Sequence, residues 1–445
     1  MRVSGRSAAQ TSSQAVRSDH QEYLFPCAPP LYDEPLVLVE GHGITVIDAE
    51  GKDYLDFFSG ILTTAIGHCH PEVVDRVCEQ VGILGHTSTL YITENQTKVA
   101  RRLSQMSPGR LCKSFFTNSG TEAVETAVML ACMYTGRSDI IALRYAYAGR
   151  SILATNLTAH AGWRPLASLI PGIKHAQAPY RYRSPLGNLD DEAYLDALAQ
   201  DLEETILTTT NGKPAAFMAE TVQGVAGYVV PPPGYFQRMS EIIHSYGGLF
   251  ICDEVQAGLG RTGGRWFGIE HWDAEPDIMV LAKGIASGFP VGATVTRPEI
   301  AEAWTAKTIS TFGGNPISMA AADATLEVMV RENTPGISAA RGVQLRTGLE
   351  ELQREYAWIG DVRGMGLMQA LELVEDRGTK APSPRKTKAV LEAAKKERLL
   401  VGVGGLHGNV IRLGPSMLVT DDQVDDALDR LSRALHTVNQ SSERR

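Results

Sequence analysis

Two charged residues stand where two apolar runs stop. Asp253 follows Leu249-Phe250-Ile251-Cys252, and Lys283 follows Ile278-Met279-Val280-Leu281-Ala282. Runs of this kind, bounded by Gly or a charge, read as strands buried on both faces of a parallel sheet. A charge inside such a strand is costly, so it belongs where the strand leaves the sheet. In open α/β sheets that is also where ligands bind. A lysine amine can form a Schiff base with an aldehyde, and a carboxylate can hold a protonated ring nitrogen. Together they suit pyridoxal 5'-phosphate (PLP). Two unrelated strand-end charges remain the alternative for this pair taken alone.

A third group lies upstream. Ser114-Phe115-Phe116-Thr117 reads as a short strand, and Asn118-Ser119-Gly120-Thr121-Glu122 opens a helix with apolar positions Val124, Ala127, Val128, Ala131 and Cys132. Ser119 and Glu122 have the spacing of a capping box, and Gly136 suits the far end. A small-residue turn at a helix start leaves N–H groups free, which either bind phosphate or simply cap the helix. Glu220 ends another apolar run, Ala215-Ala216-Phe217-Met218-Ala219.

Strands must carry these groups, and the pattern supplies them. Ile140-Ile141-Ala142-Leu143 and Gly292-Ala293-Thr294-Val295 add two more, and a helix marked by Phe236, Met239, Ile242, Ile243 and Tyr246 lies between two of the runs. This alternation predicts an α/β architecture with a mostly parallel central sheet. Upstream, Leu36–Val39, Gly43–Ile47 and Tyr54–Phe57 predict an antiparallel meander, followed by helices from Pro71 and Asn95. Downstream of Pro316 come a long helical stretch, a strand at Val410–Leu413, and a helix announced by the capping box Thr420-Asp421-Asp422-Gln423. We expect a polar tail over 1–30, the first part of a smaller domain over 31–75, a large domain over 76–315 and the rest of the small α/β domain over 316–445.

Composition narrows the function classes. With 445 residues, 43% hydrophobic and 21% charged, the chain is ordinary for a globular protein, and its net charge of -9 gives no support to nucleic-acid or anionic-membrane partners. Cys27, Cys69, Cys78, Cys112, Cys132 and Cys252 form no C-x-x-C pair, as in a reducing, cytoplasmic setting. No metal is expected, because His68-Cys69-His70 lacks the spacing of zinc sites. The first eighteen residues, Ser- and Ala-rich with Arg2, Arg6 and Arg17, fit a polar tail and also a mitochondrial presequence.

The ordered segments carry a resemblance. Phe116-Thr117-Asn118-Ser119-Gly120-Thr121-Glu122-Ala123, Ala219-Glu220-Thr221-Val222-Gln223-Gly224, Asp253-Glu254-Val255-Gln256-Ala257-Gly258-Leu259-Gly260-Arg261-Thr262-Gly263 and Leu281-Ala282-Lys283-Gly284 resemble the class III aminotransferases, PLP enzymes of fold type I. Gly67-His68-Cys69-His70-Pro71, Ser310-Thr311-Phe312-Gly313-Gly314-Asn315-Pro316 and Ile411-Arg412-Leu413 extend it in order over residues 30 to 437. The resemblance implies that Lys283 is the Schiff-base lysine and proton carrier. Asp253 would keep the ring nitrogen protonated, Gln256 would meet the phenolic oxygen, and Glu220 would lie near the ring. Ser119, Gly120 and Thr121 would hold the phosphate, and Thr311 would reach the phosphate site of a neighbouring subunit, so a homodimer is the expected minimum. Tyr147 would stack on the ring, Arg412 would bind a substrate carboxylate, and Ile61 would line the substrate pocket.

Two departures stand out. The family has aromatic-His-Gly where this chain has Tyr147-Ala148-Gly149, and relatives acting on ornithine or γ-aminobutyrate have Gln-Gly-Glu where it has Gln223-Gly224-Val225. The variant, with Phe58-Ser59-Gly60-Ile61, is similar to alanine-glyoxylate aminotransferases of the mitochondrial type. The implied reaction moves an amino group from an amino acid or ω-amino acid to a 2-oxo acid such as pyruvate or glyoxylate. A PLP-dependent lyase, racemase, decarboxylase or aminomutase uses the same motifs, and a catalytically silent binding protein could retain the fold.

Overall fold

The computed structural model describes residues 12–443. Its largest sheet has seven strands in the spatial order Lys113–Thr117, Gly292–Thr296, Ile278–Leu281, Leu249–Asp253, Ala216–Glu220, Ile140–Leu143 and Ile173–Ala176. The last five are mutually parallel, and Gly292–Thr296 runs against both of its neighbours. Alternation along the strands explains why the sheet is sandwiched. Leu249 and Ile251 pack into one hydrophobic cluster with the Gly120–Thr135 helix, while Phe250 and Cys252 face another that includes Phe236, Met239 and Ile243 of the Tyr235–Ser245 helix. Each fully buried Leu, Ile or Phe contributes roughly 1.5–3 kcal/mol. An apolar run is therefore the expected price of a central position, and no charge is met until Asp253.

Ile173–Ala176 did not stand out in the sequence because Lys174 and His175 interrupt it. It occupies the sheet edge, where both residues are only half-buried.

Two four-stranded sheets complete the chain. One contains the predicted meander as Leu38–His42, Thr45–Asp48 and Asp53–Asp56, joined by Leu399–Leu400 in parallel with the last of these. The other has the order Ile359–Met365, Met368–Leu373, Val410–Leu413 and Gly402–Gly404. A reciprocal cap opens the final helix: Gln423 N–H donates to the Thr420 hydroxyl, and Thr420 N–H donates to the Gln423 side chain, at 3.3 and 3.0 Å.

The expected polar tail is partly helical. Ser13–Tyr23 forms a helix because Ser12 caps it and the chain there lacks Gly and Pro; none of its residues is buried. Arg17 ties it down by donating to the Pro35 carbonyl at 2.8 Å and pairing with Glu34. Arg2 and Arg6 lie outside the described residues. Among the described residues no helix is long and apolar enough to cross a membrane.

Candidate active site

The carboxyl edge of the large sheet gathers the strand-end groups. Glu220 and Asp253 are direct partners in the parallel register, and Lys283 begins the turn after the next strand. With Ser119, Gly120, Thr121, Tyr147 and Gln256 they line one cavity of about 360 Å³. Lys283 itself has φ +47°, a strained setting for a residue with a side chain.

Three charges share this space, and burial works on each. It pulls the Lys283 amine below the usual lysine range, opposed by the nearby Asp253 and Glu220 carboxylates. Burial pushes the Asp253 carboxyl up, against the Val255 N–H at 2.9 Å and the Lys283 charge. Glu220 is likewise pushed up by burial and by Asp253, although N–H groups of Gly224 and Tyr147 donate to it at 2.8 and 3.1 Å. Such a cluster favours a neutral amine beside carboxylates that gain from a cationic partner.

The helix start has the donors expected of it, with one difference. Glu122 N–H donates to the Ser119 hydroxyl, but the Glu122 carboxylate accepts from Asn118 N–H at 2.6 Å, one residue before the expected position. N–H groups of Gly120 and Thr121 lie in the first turn, where no intrahelical carbonyl reaches them. The Thr121 hydroxyl accepts from Arg150 N–H at 3.3 Å.

Gln256 is buried, and its Oε1 has no partner among the described residues. Its amide lies flat on the chain at Gly224, where an added Cβ would come within 2.1 Å of Nε2. An unsatisfied buried acceptor on a residue that lines a cavity leaves room for a ligand donor after a small side-chain adjustment.

Tyr147 also reaches the cavity. Its ring stands edge-on to Trp163, 5.7 Å between centroids, and the adjacent Ala148 N–H donates to Thr158. Arg412 is buried but stands outside the cavity wall, near enough that its charge bears on Lys283 and Glu220. Its guanidinium donates to the carbonyls of Gly224 and Val403 at 3.1 and 2.9 Å and lies over the rings of Phe58 and Tyr228. No carboxylate pairs with it among the described residues, and its Nε has no partner.

Besides Arg412, two more predicted residues do not join the cavity within this chain. Thr311 is exposed, and Ile61 is 45% exposed in a left-handed turn, Ser59 to Leu62, whose φ values run from 51° to 65°. A β-branched residue there is a genuine outlier. Asp56 holds the turn by accepting from the N–H groups of Phe58 and Ser59, and its other oxygen pairs with His68 at 2.8 Å. Thr63, just beyond, does line the cavity.

Sequence reasoning missed Tyr228, Trp163 and the segment Gly288–Val291, which closes one wall. Tyr228 lies in a loop with no periodic pattern. Only the turn residues Gly227 and Gly224 hinted at a tight structure there.

The family profile for class III aminotransferases matches residues 28–435. An Arabidopsis thaliana alanine–glyoxylate aminotransferase 2 homolog 2, described as mitochondrial, is 39% identical over 425 residues, covering 95% of this chain and 88% of the relative. Among solved structures, an (S)-enantioselective omega-transaminase of Thermomicrobium roseum superposes with TM-score 0.89 at 33% identity, over 96% of this chain and 99% of its own. An amine transaminase from an uncultivated Pseudomonas species, solved in a PLP-bound form, gives TM-score 0.88 at 32% identity, covering 94% and 98%.

Proposed function

The chain belongs to the class III aminotransferases, PLP-dependent enzymes that transfer amino groups, and from that premise we propose how its own residues divide the work. The donor is an amino acid or ω-amino acid and the acceptor a 2-oxo acid such as pyruvate or glyoxylate. The observation that carries the assignment is the single cavity into which Glu220, Asp253 and Lys283 converge beside the start of the Gly120–Thr135 helix, whose cap leaves the first-turn N–H groups of Gly120 and Thr121 free.

These residues fit PLP. The free N–H groups of Gly120 and Thr121, with Ser119 beside them, suit the phosphate, and Gln256, whose Oε1 has no partner among the described residues, lines the same cavity. When bound, PLP supplies an aldehyde that takes the substrate amine and a ring that accepts electrons from the α-carbon. Lys283 then carries the proton, and Asp253 holds one on the ring nitrogen. Glu220 supports the Gly224 and Tyr147 backbone around the ring.

Arg412 grips the substrate carboxylate. Its fixed carbonyl and aromatic partners hold it in place without the acidic residue that Val225 replaces. Ile61 and Thr311, exposed on this chain, are assigned to the lining of the substrate pocket and to the phosphate site of a second subunit, which makes the working unit a homodimer. Val225, with Phe58-Ser59-Gly60-Ile61, is consistent with the alanine-glyoxylate type, whereas Ala148 departs from the histidine that the family has there. We retain the division into domains at 31–75, 76–315 and 316–445, supported by the pairing of Leu399–Leu400 with Asp53–Asp56. The unpaired cysteines support a reducing compartment, the cytoplasm.

The test is a panel of amino donors with pyruvate or glyoxylate. Stoichiometric appearance of the new amino acid is expected, whereas release of ammonia or carbon dioxide in its place would assign a lyase or decarboxylase.

A finer prediction concerns Arg412. At Gly404 an added Cβ would come within 2.8 Å of Arg412 Nε and 2.9 Å of its Cδ. Gly404→Ala should therefore push the guanidinium aside and raise KM for a carboxylate-bearing donor about tenfold, the worth of one charge-assisted hydrogen bond, with a smaller change in kcat. A donor amine lacking a carboxylate serves as control, and its KM should stay within about twofold by the same argument.

A further inference from the structure

A second cavity, about 510 Å³, lies away from the candidate active site. Its wall carries four cations, Arg181, Arg346, Arg363 and Lys380, against one carboxylate, Asp361, with Tyr180 and Tyr182 beside them. These cations come from the 179–187 loop, the Thr334–Glu355 helix, the Ile359–Met365 strand and the polar loop that follows Leu373. The cavity therefore exists only in the folded chain.

The charges here are not all committed. Glu372, fully buried behind the wall, is satisfied by Tyr180, Arg183, Arg363 and Asn409 and has no capacity left for the others. Arg363 also bonds Asp361 at 2.8 Å, and its Nη2 is buried without a partner among the described residues. Lys380 donates to the Tyr182 carbonyl at 2.8 Å and sits over that ring, with no carboxylate partner among the described residues. Arg181 is committed, pairing with Asp191 and donating to the Gly187 and Leu189 carbonyls, whereas Arg346 pairs with Glu350, whose side chain is 43% exposed, and donates to Gln369 at 3.2 Å. An exposed pair such as Arg346–Glu350 contributes little and leaves the guanidinium open to a better-placed anion.

We propose that this cavity binds a small multivalent oxyanion, a phosphate- or carboxylate-bearing metabolite, and that its occupancy alters the grip on the substrate carboxylate. The link is a short loop. Arg363 Nε donates to the Gly227 carbonyl at 2.7 Å, Val229 and Val230 line the cavity, and Gln223 bridges Val229. Within the same loop the Gly224 carbonyl accepts from Arg412, and its N–H donates to Glu220. Occupancy that repositions Arg363 acts on Gly227 and through it on Arg412. Binding stands independently of the role proposed for Arg412, whereas the coupling rests on it.

The experiment uses PLP-loaded enzyme, so that the cofactor's own phosphate site is filled. Inorganic phosphate and, separately, succinate are titrated by calorimetry into wild type and into Arg346→Gln and Lys380→Gln, each at matched chloride ionic strength. Saturable binding by wild type, weakened at least about tenfold in both variants, is expected; the stronger of the two anions identifies the source as phosphate or carboxylate. Absence of saturable binding, or equal affinity in wild type and variants, overturns the site. At saturating phosphate the KM for the amino donor should shift at least about twofold with kcat nearly unchanged, and Lys380→Gln should abolish the shift. Binding without that shift overturns the coupling and leaves the site standing. Loss of transfer activity in untreated wild type would instead overturn the aminotransferase reading.

Discussion

Lys283→Ala is expected to lower kcat for amino transfer by about 10²- to 10⁴-fold, the range for removing a positioned proton carrier, while the chain still folds. Among the described residues Lys283 is the one amine on the cavity wall, and burial draws it toward the neutral form that can take a proton. The other titratable groups there cannot substitute. Tyr147 is pushed up by burial, and Glu220 already accepts two backbone N–H groups. Alanine also keeps a Cβ at φ +47°, so the substitution leaves the backbone strain as it was and isolates the amine. The checks are kcat with a carboxylate donor and the visible absorbance of PLP-loaded protein, which should change from the wild-type band. Added methylamine should restore part of the activity, since it supplies the missing group. A variant that keeps a tenth or more of wild-type kcat would remove Lys283 from the mechanism.

What could be read in advance follows from burial. A charge directly after a long apolar run has to mark a strand end, so Asp253, Lys283 and Glu220 were legible as neighbours once the sheet was taken as parallel. Local rules also carried the Thr420–Gln423 cap, because both partners lie within one turn of sequence. Other features depend on approach across the fold. Nothing in Gln223-Gly224-Val225 shows that Gln256 will rest on Gly224, or that Tyr228 will underlie Arg412. The Glu122 carboxylate takes Asn118 N–H instead of the capping residue's own, a difference of one residue that spacing does not resolve. The second cavity is illegible for the same reason, since residues 181, 346, 363 and 380 belong to four segments and none carries a motif. Ile61 and Thr311 came from resemblance alone, and one chain leaves both on its surface.

Asp253→Asn should separate catalysis from stability. The substitution preserves shape and removes the charge that would hold a proton on the ring nitrogen, and kcat should fall about 10²- to 10³-fold, as when one preorganised electrostatic partner is lost. Stability should move the other way in cofactor-free protein. The Asp253 carboxyl is held above its ordinary range by burial, even with Lys283 nearby, so the folded state binds its proton more tightly than the unfolded chain does. Such a group costs stability as pH rises from the ordinary aspartate value through the raised one. The asparagine variant has no such loss, so without PLP its Tm should exceed wild type at pH 8, and the gap should close toward pH 4. Loading PLP should reverse the order at pH 8, because the wild-type carboxylate then gains a protonated ring nitrogen and the amide does not. A buried acid that served only the fold would make the variant less stable both with and without cofactor. The change of sign between the two measurements is therefore what assigns Asp253 to the ring.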